Sequence, residues 1–328
     1  MAPHESRVVF VGQNDCRNED FSLPATLAPD QVLVRNDASL VSAGTELAIL
    51  RKTHRGFATR PVPSWIDYPH YPGYANVGHV IAVGERVTAV EEGDLVWHPS
   101  PHATVSVLSS IDCKIVPSGV SPQDAVFFAL AQVAITSIRR APCVLGEAVL
   151  VSGAGLVGIL CAQLYRLAGA CVTIADPSKG RLDRAQHAGL HEVIDLTATT
   201  LEAWYAGHPS QKAMLVVEAA GVEANIDSCL KVAATGGRVV LLGSPRRPME
   251  IDPYTDIHRK GLTVVGAHSS TVEKAVREGD VDYLLQLCGG ALNLDAIRTH
   301  LLPYTELPTL YEKLESSLDE YLGVVLTY

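Results

Sequence analysis

The sequence predicts a two-domain α/β chain in which a β-rich, barrel-like domain is joined to a parallel, doubly wound sheet. Three observations predict it. Short β-type runs such as RVVFVG, QVLVRN, GHVIAVG and DLVWHP, broken by Pro and Gly, fill the first part of the chain up to about Ala125. From Pro122 the pattern turns helical through DAVFFALAQVAITSIRRA, and strands then alternate with helices. Residues 147–176 carry a strand, a glycine triplet, an apolar helix and a second strand in unbroken order. A length of 328 residues with 47% hydrophobic content suits two domains and supplies both cores.

In chain order, the alternating region reads as AVLV, the helix that follows the glycines, VTIAD and HEVIDL. A helix at 201–206, the strand AMLVVEAAG, a helix at 225–233, GRVVLLG and LTVVGAH complete it. After His268 come two helices, around TVEKAVREGDVDYLLQL and ELPTLYEKLESSL, and then the strand GVVLTY, which is expected to return the chain to the first domain. There is no internal repeat, low-complexity tract or long linker.

The glycine triplet carries the first functional expectation. Gly153, Gly155 and Gly158 have the G-x-G-x-x-G spacing where a buried strand gives way to a helix. The first permits the tight turn, the second lets the backbone approach a pyrophosphate, and the third lets helix and strand lie close. The free N–H groups of the helix N-terminus would face the phosphates. Asp176 ends the second strand, where a carboxylate accepts from ribose hydroxyls and repels a 2′-phosphate, so NAD is expected over NADP. Lys179 and Arg181 lie just beyond it and are placed to contact a 2′-phosphate, which keeps NADP open.

Composition excludes several classes. A net charge of −10 without any Lys/Arg-rich run argues against nucleic acid or an anionic membrane as partner. No stretch approaches the roughly 18 uninterrupted apolar residues of a membrane span, and MAPHESRVVF lacks an apolar signal core, so a cytoplasmic location is expected. The 7 cysteines include no C-x-x-C pair; Cys161 and Cys171, in a helix and a strand, read as small apolar side chains.

SAGTE at 42–46, PGYANVGHVIAVG at 72–84, EEGDLV at 91–96, GAGLVG, VEAAG at 217–221 and GGRVVLLG at 236–243 together resemble the medium-chain dehydrogenases/reductases related to alcohol dehydrogenase. The resemblance implies a GroES-like catalytic domain at residues 1–130 and 268–328 and a Rossmann cofactor domain at 131–267, with the active site in the cleft separating them. It implies cofactor contacts at Gly153, Gly155, Leu156, Val157, Gly158, Asp176, Lys179, Arg181, Ala219, Gly243 and Gly266, and substrate contacts at Glu46, Ser100, His102 and His268. Pairing of cofactor domains through an edge strand, common in this family, would use residues 262–268 and give a two-fold homodimer.

The departures from the family concern zinc. Where zinc members have Cys-Gly-Thr-Asp this chain has Ala43, Gly44, Thr45 and Glu46; where they have Gly-His-Glu it has Gly73, Tyr74 and Ala75; the third ligand position holds Ala129. A catalytic zinc needs three ligands from Cys, His and carboxylate, so none is expected. The four-cysteine structural lobe is also missing, since GDLVWHP runs directly to HATVSVL. Within the family, S-x-G-T-E with Y-P-x-x-P-G-Y-x-x-V-G is similar to a zinc-lacking subgroup that includes the bacteriochlorophyllide dehydrogenases, although the segment after GDLV is shorter here.

Without a metal, a carbonyl oxygen must be polarised by hydrogen-bond donors in the same space. Tyr74 stands at the histidine position and Thr45 matches the hydroxyl that relays the proton in zinc members; both are candidates, with His98 as a third because histidine titrates near neutrality. Tyr74 is open to a second reading, as a filler of the vacated cavity, and Thr45 to one as the N-cap of a helix starting at Glu46. The expected activity interconverts a secondary alcohol and a ketone on a small polar or biosynthetic metabolite. Two alternatives stand beside it: an NADPH-dependent quinone or enoyl reductase, and an NAD(H)-binding sensor without turnover.

Overall fold

The computed structural model describes residues 5–317 and 319–328; residues 1–4, part of the stretch read for a signal core, lie outside them. The chain divides into two compact units, one running to Ala129 with Leu285–Gly289 and Arg298–Tyr328, the other comprising Leu130–Leu284 and Gly290–Ile297.

The first unit begins with a hairpin of β1 (Glu5–Gly12) and β2 (Asp15–Phe21). The strand β3 (Gln31–Leu40) alternates buried and partly buried residues, as a strand with one face on a core does. After it come the helix α1 (Ala43–Leu50), β4 (Asn76–Val83), β5 (Leu95–His98), β6 (Val105–Ser109) and β7 (Lys114–Ile115). The helical pattern from Pro122 is real but broken: α2 (Pro122–Ala125), capped by Ser121 with Pro122 in its first turn, is followed by α3 (Phe128–Arg140), whose last turn carries Arg139 and Arg140 toward the negative end of its dipole.

In the second unit, β8 (Ala148–Ser152), α4 (Leu156–Leu167), β9 (Cys171–Asp176), α5 (Lys179–His187) and β10 (Glu192–Asp195) form the first half of the sheet. The second half is α6 (Leu201–Gly207), β11 (Leu215–Glu218), α7 (Glu223–Val232), β12 (Arg238–Leu241) and β13 (Thr263–Gly266). All strand pairs are parallel, in the order β10-β9-β8-β11-β12-β13. The order reverses between β8 and β11, the switch point where ligands bind beyond the carboxyl ends of strands in such sheets. The central strands β8 and β11 are buried throughout or nearly so, which explains why they read as continuous apolar runs.

The chain continues through α8 (Lys274–Gly279) and α9 (Val281–Cys288) to β14 (Arg298–Pro303), α10 (Leu307–Ser316) and β15 (Gly323–Thr327). β15 lies between β14 and β3, so the C-terminal strand does close the first unit's sheet, whose order is β14-β15-β3-β4-β5-β7 with β6 also on β3. The return comes later than a boundary at 268 would have it. Asp280 pairs with Arg139, Asn293 donates its backbone N–H to Gln163 Oε1 and its Nδ2 to His187 O, and Arg184 reaches Ala296 O, so these segments are fastened to α3, α4 and α5. β2 and β14 have no counterpart in the sequence reading; DCRNEDF is strongly polar and becomes a strand by pairing with β1. Among the described residues no helix is long and apolar enough to cross a membrane.

Candidate active site

At the switch point of the second unit the chain leaves β8 through Gly153, at φ +109°, and enters α4 with Gly155 at the N-cap. A Cβ on Gly158 would lie 1.9 Å from Gly153 O, so only glycine lets the helix start against the turn. A Cβ on Gly155 would meet nothing within 4 Å, which leaves open space beside the backbone. The first turn of α4, including Leu156 and Val157, contains no acidic side chain and Gly155 supplies no capping oxygen, so that turn's N–H groups suit a phosphate. Asp176 is 3% exposed; its Oδ2 accepts from Ala154 N–H at 2.7 Å and its Oδ1 from Ser178 N–H at 2.8 Å. These bonds fix the carboxylate beside the glycine turn while leaving each oxygen a second lone pair for a ribose hydroxyl. Arg181 Nη1 lies 3.9 Å from Asp176 Oδ2, and Lys179 is exposed at the start of α5. The residues present therefore fit a dinucleotide.

Across the switch point, Glu218 closes β11. Its Oε1 accepts from Ala220 N–H, Gly221 N–H and Asn225 Nδ2 at 2.8–2.9 Å, holding the turn that contains Ala219. Burial pushes its carboxyl up against the pull of those donors. A Cβ on Gly243 would lie 2.7 Å from Glu218 Oε2 and 2.2 Å from Gly221 N, so Gly243 is the close-packed floor under that turn. Glu218 was not singled out from sequence, although an acid ending a buried strand in VEAAG is a signal. Gly266 ends the edge strand β13, and His268 caps the turn after it, its Nδ1 2.7 Å from Ser270 Oγ.

In the first unit, Ser42 is the N-cap residue of α1, and its side chain makes no capping bond. Ser42 Oγ is instead 2.5 Å from the Tyr74 hydroxyl, while Ser42 N–H donates to Glu46 Oε1 at 2.9 Å. Thr45 lies inside the first turn, donating its N–H to Ser42 O; the helix starts at Ala43, so Thr45 is not its cap. The Thr45 hydroxyl also bonds the Tyr74 phenol. Tyr74, Ser42 and Thr45 are partly exposed. Burial pushes the Tyr74 phenol above its ordinary value, the Glu46 charge adds to that, and the bonds from Ser42 and Thr45 oppose it.

Glu46 and His102 are corrected from substrate contacts to buried partners of one another, 1% and 0% exposed, with His102 Nε2 3.4 Å from Glu46 Oε1. Tyr311 donates to Glu46 Oε2 at 2.6 Å, and His102 Nδ1 is 2.8 Å from Ser39 Oγ, which is 2.7 Å from the Tyr328 hydroxyl. Burial alone would raise the Glu46 carboxyl; the His102 charge and the bonds from His102, Tyr311 and Ser42 outweigh it and hold the group below its ordinary value. His98 is also corrected. It is fully buried on β5 with Nε2 2.9 Å from Asn36 Oδ1, and burial pushes it down to about 3, so it has no proton to exchange near neutrality. Ser100 lines a cavity of about 220 Å³ with Arg7, Tyr71 and Pro101, which neither Tyr74 nor Thr45 borders. The sequence reading quoted Ser42 as the first residue of SAGTE without giving it a role, and missed Ser39, Tyr311 and Tyr328, for which no spacing signal exists.

A zinc ion does not fit. The three ligand positions offer the methyl groups of Ala43 and Ala129 and the phenol of Tyr74, the nearby carboxylate is committed to His102 and Tyr311, and no group of three or more His, Cys, Asp or Glu gathers among the described residues.

The chain is similar to a solved galactitol-1-phosphate dehydrogenase from Escherichia coli, with a TM-score of 0.86 at 18% identity over 98% of this chain and 100% of that one. It is also similar in shape to a Sinorhizobium meliloti protein solved with NADP, with a TM-score of 0.84 at 19% identity over 99% of each. The fold is that of the medium-chain alcohol dehydrogenases. By sequence, the L-galactonate-5-dehydrogenase of Escherichia coli K12 is 28% identical over 90% of this chain and 96% of its own length. Residues 157–286 match the family model described as zinc-binding dehydrogenase. That match begins within α4, covers less than half of the chain and leaves positions 43, 74 and 129 outside it.

Proposed function

We propose that this chain is a zinc-independent, NAD-preferring oxidoreductase that interconverts a secondary alcohol and a ketone on a small polar metabolite. The observation that carries it is the Tyr74 phenol, held by Ser42 Oγ at 2.5 Å in the place of a metal ligand whose partner positions are methyl groups. The nicotinamide, when bound, supplies or accepts the hydride at the carbonyl carbon. Gly153, Gly155 and the first turn of α4 bind the pyrophosphate, and Asp176 accepts from the ribose hydroxyls. In the reducing direction Tyr74 Oη donates its proton to the carbonyl oxygen and is reprotonated through Ser42 Oγ, which with the Thr45 hydroxyl braces the phenol; in the oxidising direction the same oxygen receives the alcohol proton as its own passes to solvent through the partly exposed Ser42 Oγ. A phenol that burial keeps protonated is suited to the donor role.

The test is elemental analysis of the purified protein together with NAD(H)- and NADP(H)-linked turnover of a panel of sugar acids, polyols and hydroxy amino acids, with and without chelator. Activity that survives chelation with no stoichiometric metal supports the reading. About one zinc per chain, lost together with activity, overturns it. The same preparations address assembly. β13 is an edge strand with Val264 39% exposed, and a two-fold homodimer through it is expected, to be checked by sedimentation at micromolar concentration.

A further inference from the structure

Behind the Ser42–Tyr74 couple lies a carboxylate with no surface of its own. Glu46 is 1% exposed, and a buried charge costs several kcal/mol unless it is paired and fully hydrogen-bonded. Its oxygens accept from Ser42 N–H, the His102 ring and Tyr311 OH, and the charge is felt by Cys16, His70, Tyr74 and Tyr328 around it. Two features link this pair to the couple in front of it. A serine at an N-cap ordinarily uses its oxygen to satisfy the helix; here Glu46 reaches back to the Ser42 N–H and Ser42 Oγ is left for Tyr74. On the other side, the main-chain N–H of His102 donates to Pro72 O at 2.8 Å, and a Cβ on Gly73, at φ +97°, would lie 2.7 Å from Cγ of the His102 ring. The ring therefore packs directly under the residue that precedes Tyr74, and only glycine admits it.

We propose that Glu46 and His102 are positioning residues of this site: the carboxylate anchors Ser42, the imidazole packs under the Gly73 backbone, and together they hold the two hydroxyls in contact. Ser39 and Tyr328 orient the ring through Nδ1, and Tyr311 closes the last carboxylate oxygen. The inference rests on reading Tyr74 as the working hydroxyl. Its charge consequence follows from Coulomb's law: an ionised Glu46 close by disfavours a phenolate and keeps Tyr74 a donor.

The test reads Tyr74 itself. The full chain is labelled with ¹³Cζ-tyrosine, the Tyr74 signal is assigned with Tyr74→Phe, and its position is followed from neutral to strongly alkaline pH. Glu46→Gln keeps an acceptor for Ser42 N–H but drops the charge, and is expected to lower the Tyr74 midpoint by about one pH unit. His102→Asn withdraws the ring from Glu46 and from beneath Gly73, and is expected to move the neutral-pH Tyr74 signal toward that of free tyrosine. Folded variants in which both the midpoint and the neutral-pH signal match the wild type overturn the proposal. Should Glu46→Gln not fold, His102→Asn decides by its neutral-pH signal. Turnover enters neither readout, so an active Tyr74→Phe would defeat the catalytic reading while leaving this one standing or falling on its own result.

Discussion

In the second unit the proposed phosphate cradle comes from one stretch, residues 152–158, and two buried strands fix it; in the first unit the hydroxyl couple draws on Ser42, Glu46, Tyr74, His102 and Tyr311, which meet only after the sheet has closed. The first site is held by steric exclusion, such as a Cβ that would lie 1.9 Å from a carbonyl oxygen at Gly158. The second is held by hydrogen bonds among side chains and by a charge kept from water. Steric sites fail abruptly and locally. Hydrogen-bonded ones lose function in proportion to the partner removed, and they respond to pH.

The sharpest way to test that difference is to remove one oxygen from the dispersed site. Tyr74→Phe keeps the ring and deletes the donor, and kcat is expected to fall by about 10²–10³, the scale of losing a positioned acid or an oxyanion donor. The dissociation constant for NADH should stay within about twofold, because the pyrophosphate turn belongs to the other unit. Near-normal kcat with a lower melting temperature would make Tyr74 a filler. At the steric site, Gly158→Ala forces the helix start off the turn and is expected to weaken NADH binding by about 10²-fold, with Tyr74 unaffected. Fluorescence titration with NADH checks it, and wild-type binding would show that the turn yields.

How much of each region was legible follows from the same contrast. Gly153, Gly155, Gly158 and Asp176 could be placed because strand period, glycine spacing and terminal acid all lie within one local pattern. The doubly wound order followed from alternation, and the C-terminal strand's return to the first unit was readable from GVVLTY. His98 and His102 could not be sorted, since both follow GDLVW and sequence says nothing of depth; one accepts burial as a neutral ring beside Asn36, the other as the partner of a carboxylate. Ser39, Tyr311 and Tyr328 reach the site from three different elements, so no periodicity announces them. The boundary after β13 was placed too early because helices 274–279 and 281–288 look alike on either side, and what assigns Asp280 and Asn293 is their bonding to Arg139 and Gln163.

A smaller effect separates recognition from cradle within the nucleotide site. Asp176→Ser removes the carboxylate that would repel a 2′-phosphate, and the kcat/KM ratio of NAD to NADP is expected to fall about tenfold. Arg181, 3.9 Å from the carboxylate, would then be available to the added phosphate. An unchanged ratio would mean that Asp176 serves the Ala154 and Ser178 N–H groups and does not read the ribose.

The smallest expected effect is a slope, and it tests whether the dispersed site is governed by charge. The Glu46 carboxyl is held below its ordinary value in the folded chain, against burial, by His102 first among its partners. A depressed carboxyl contributes stability that is fully present above the unfolded value, roughly 4.3, and lost as pH falls through the lower folded value. Glu46→Gln has nothing to lose in that window. Removing one member of a buried pair is destabilising at neutral pH, so the variant should melt below the wild type there. Between about pH 4.3 and the lower folded value the unfolded wild-type chain takes up a proton that the folded one does not, and the gap should narrow by at most about 1.4 kcal/mol per pH unit, the limit for a single proton. Taking the difference between the two proteins cancels the other carboxylates, which titrate alike in both. Melting temperatures measured side by side from pH 7 to pH 3 check the sign: a gap that stays constant would mean that folding leaves the Glu46 carboxyl at its ordinary value, and a gap that widens in acid would mean that Glu46 is neutral in the folded chain and that the pairing with His102 carries no charge.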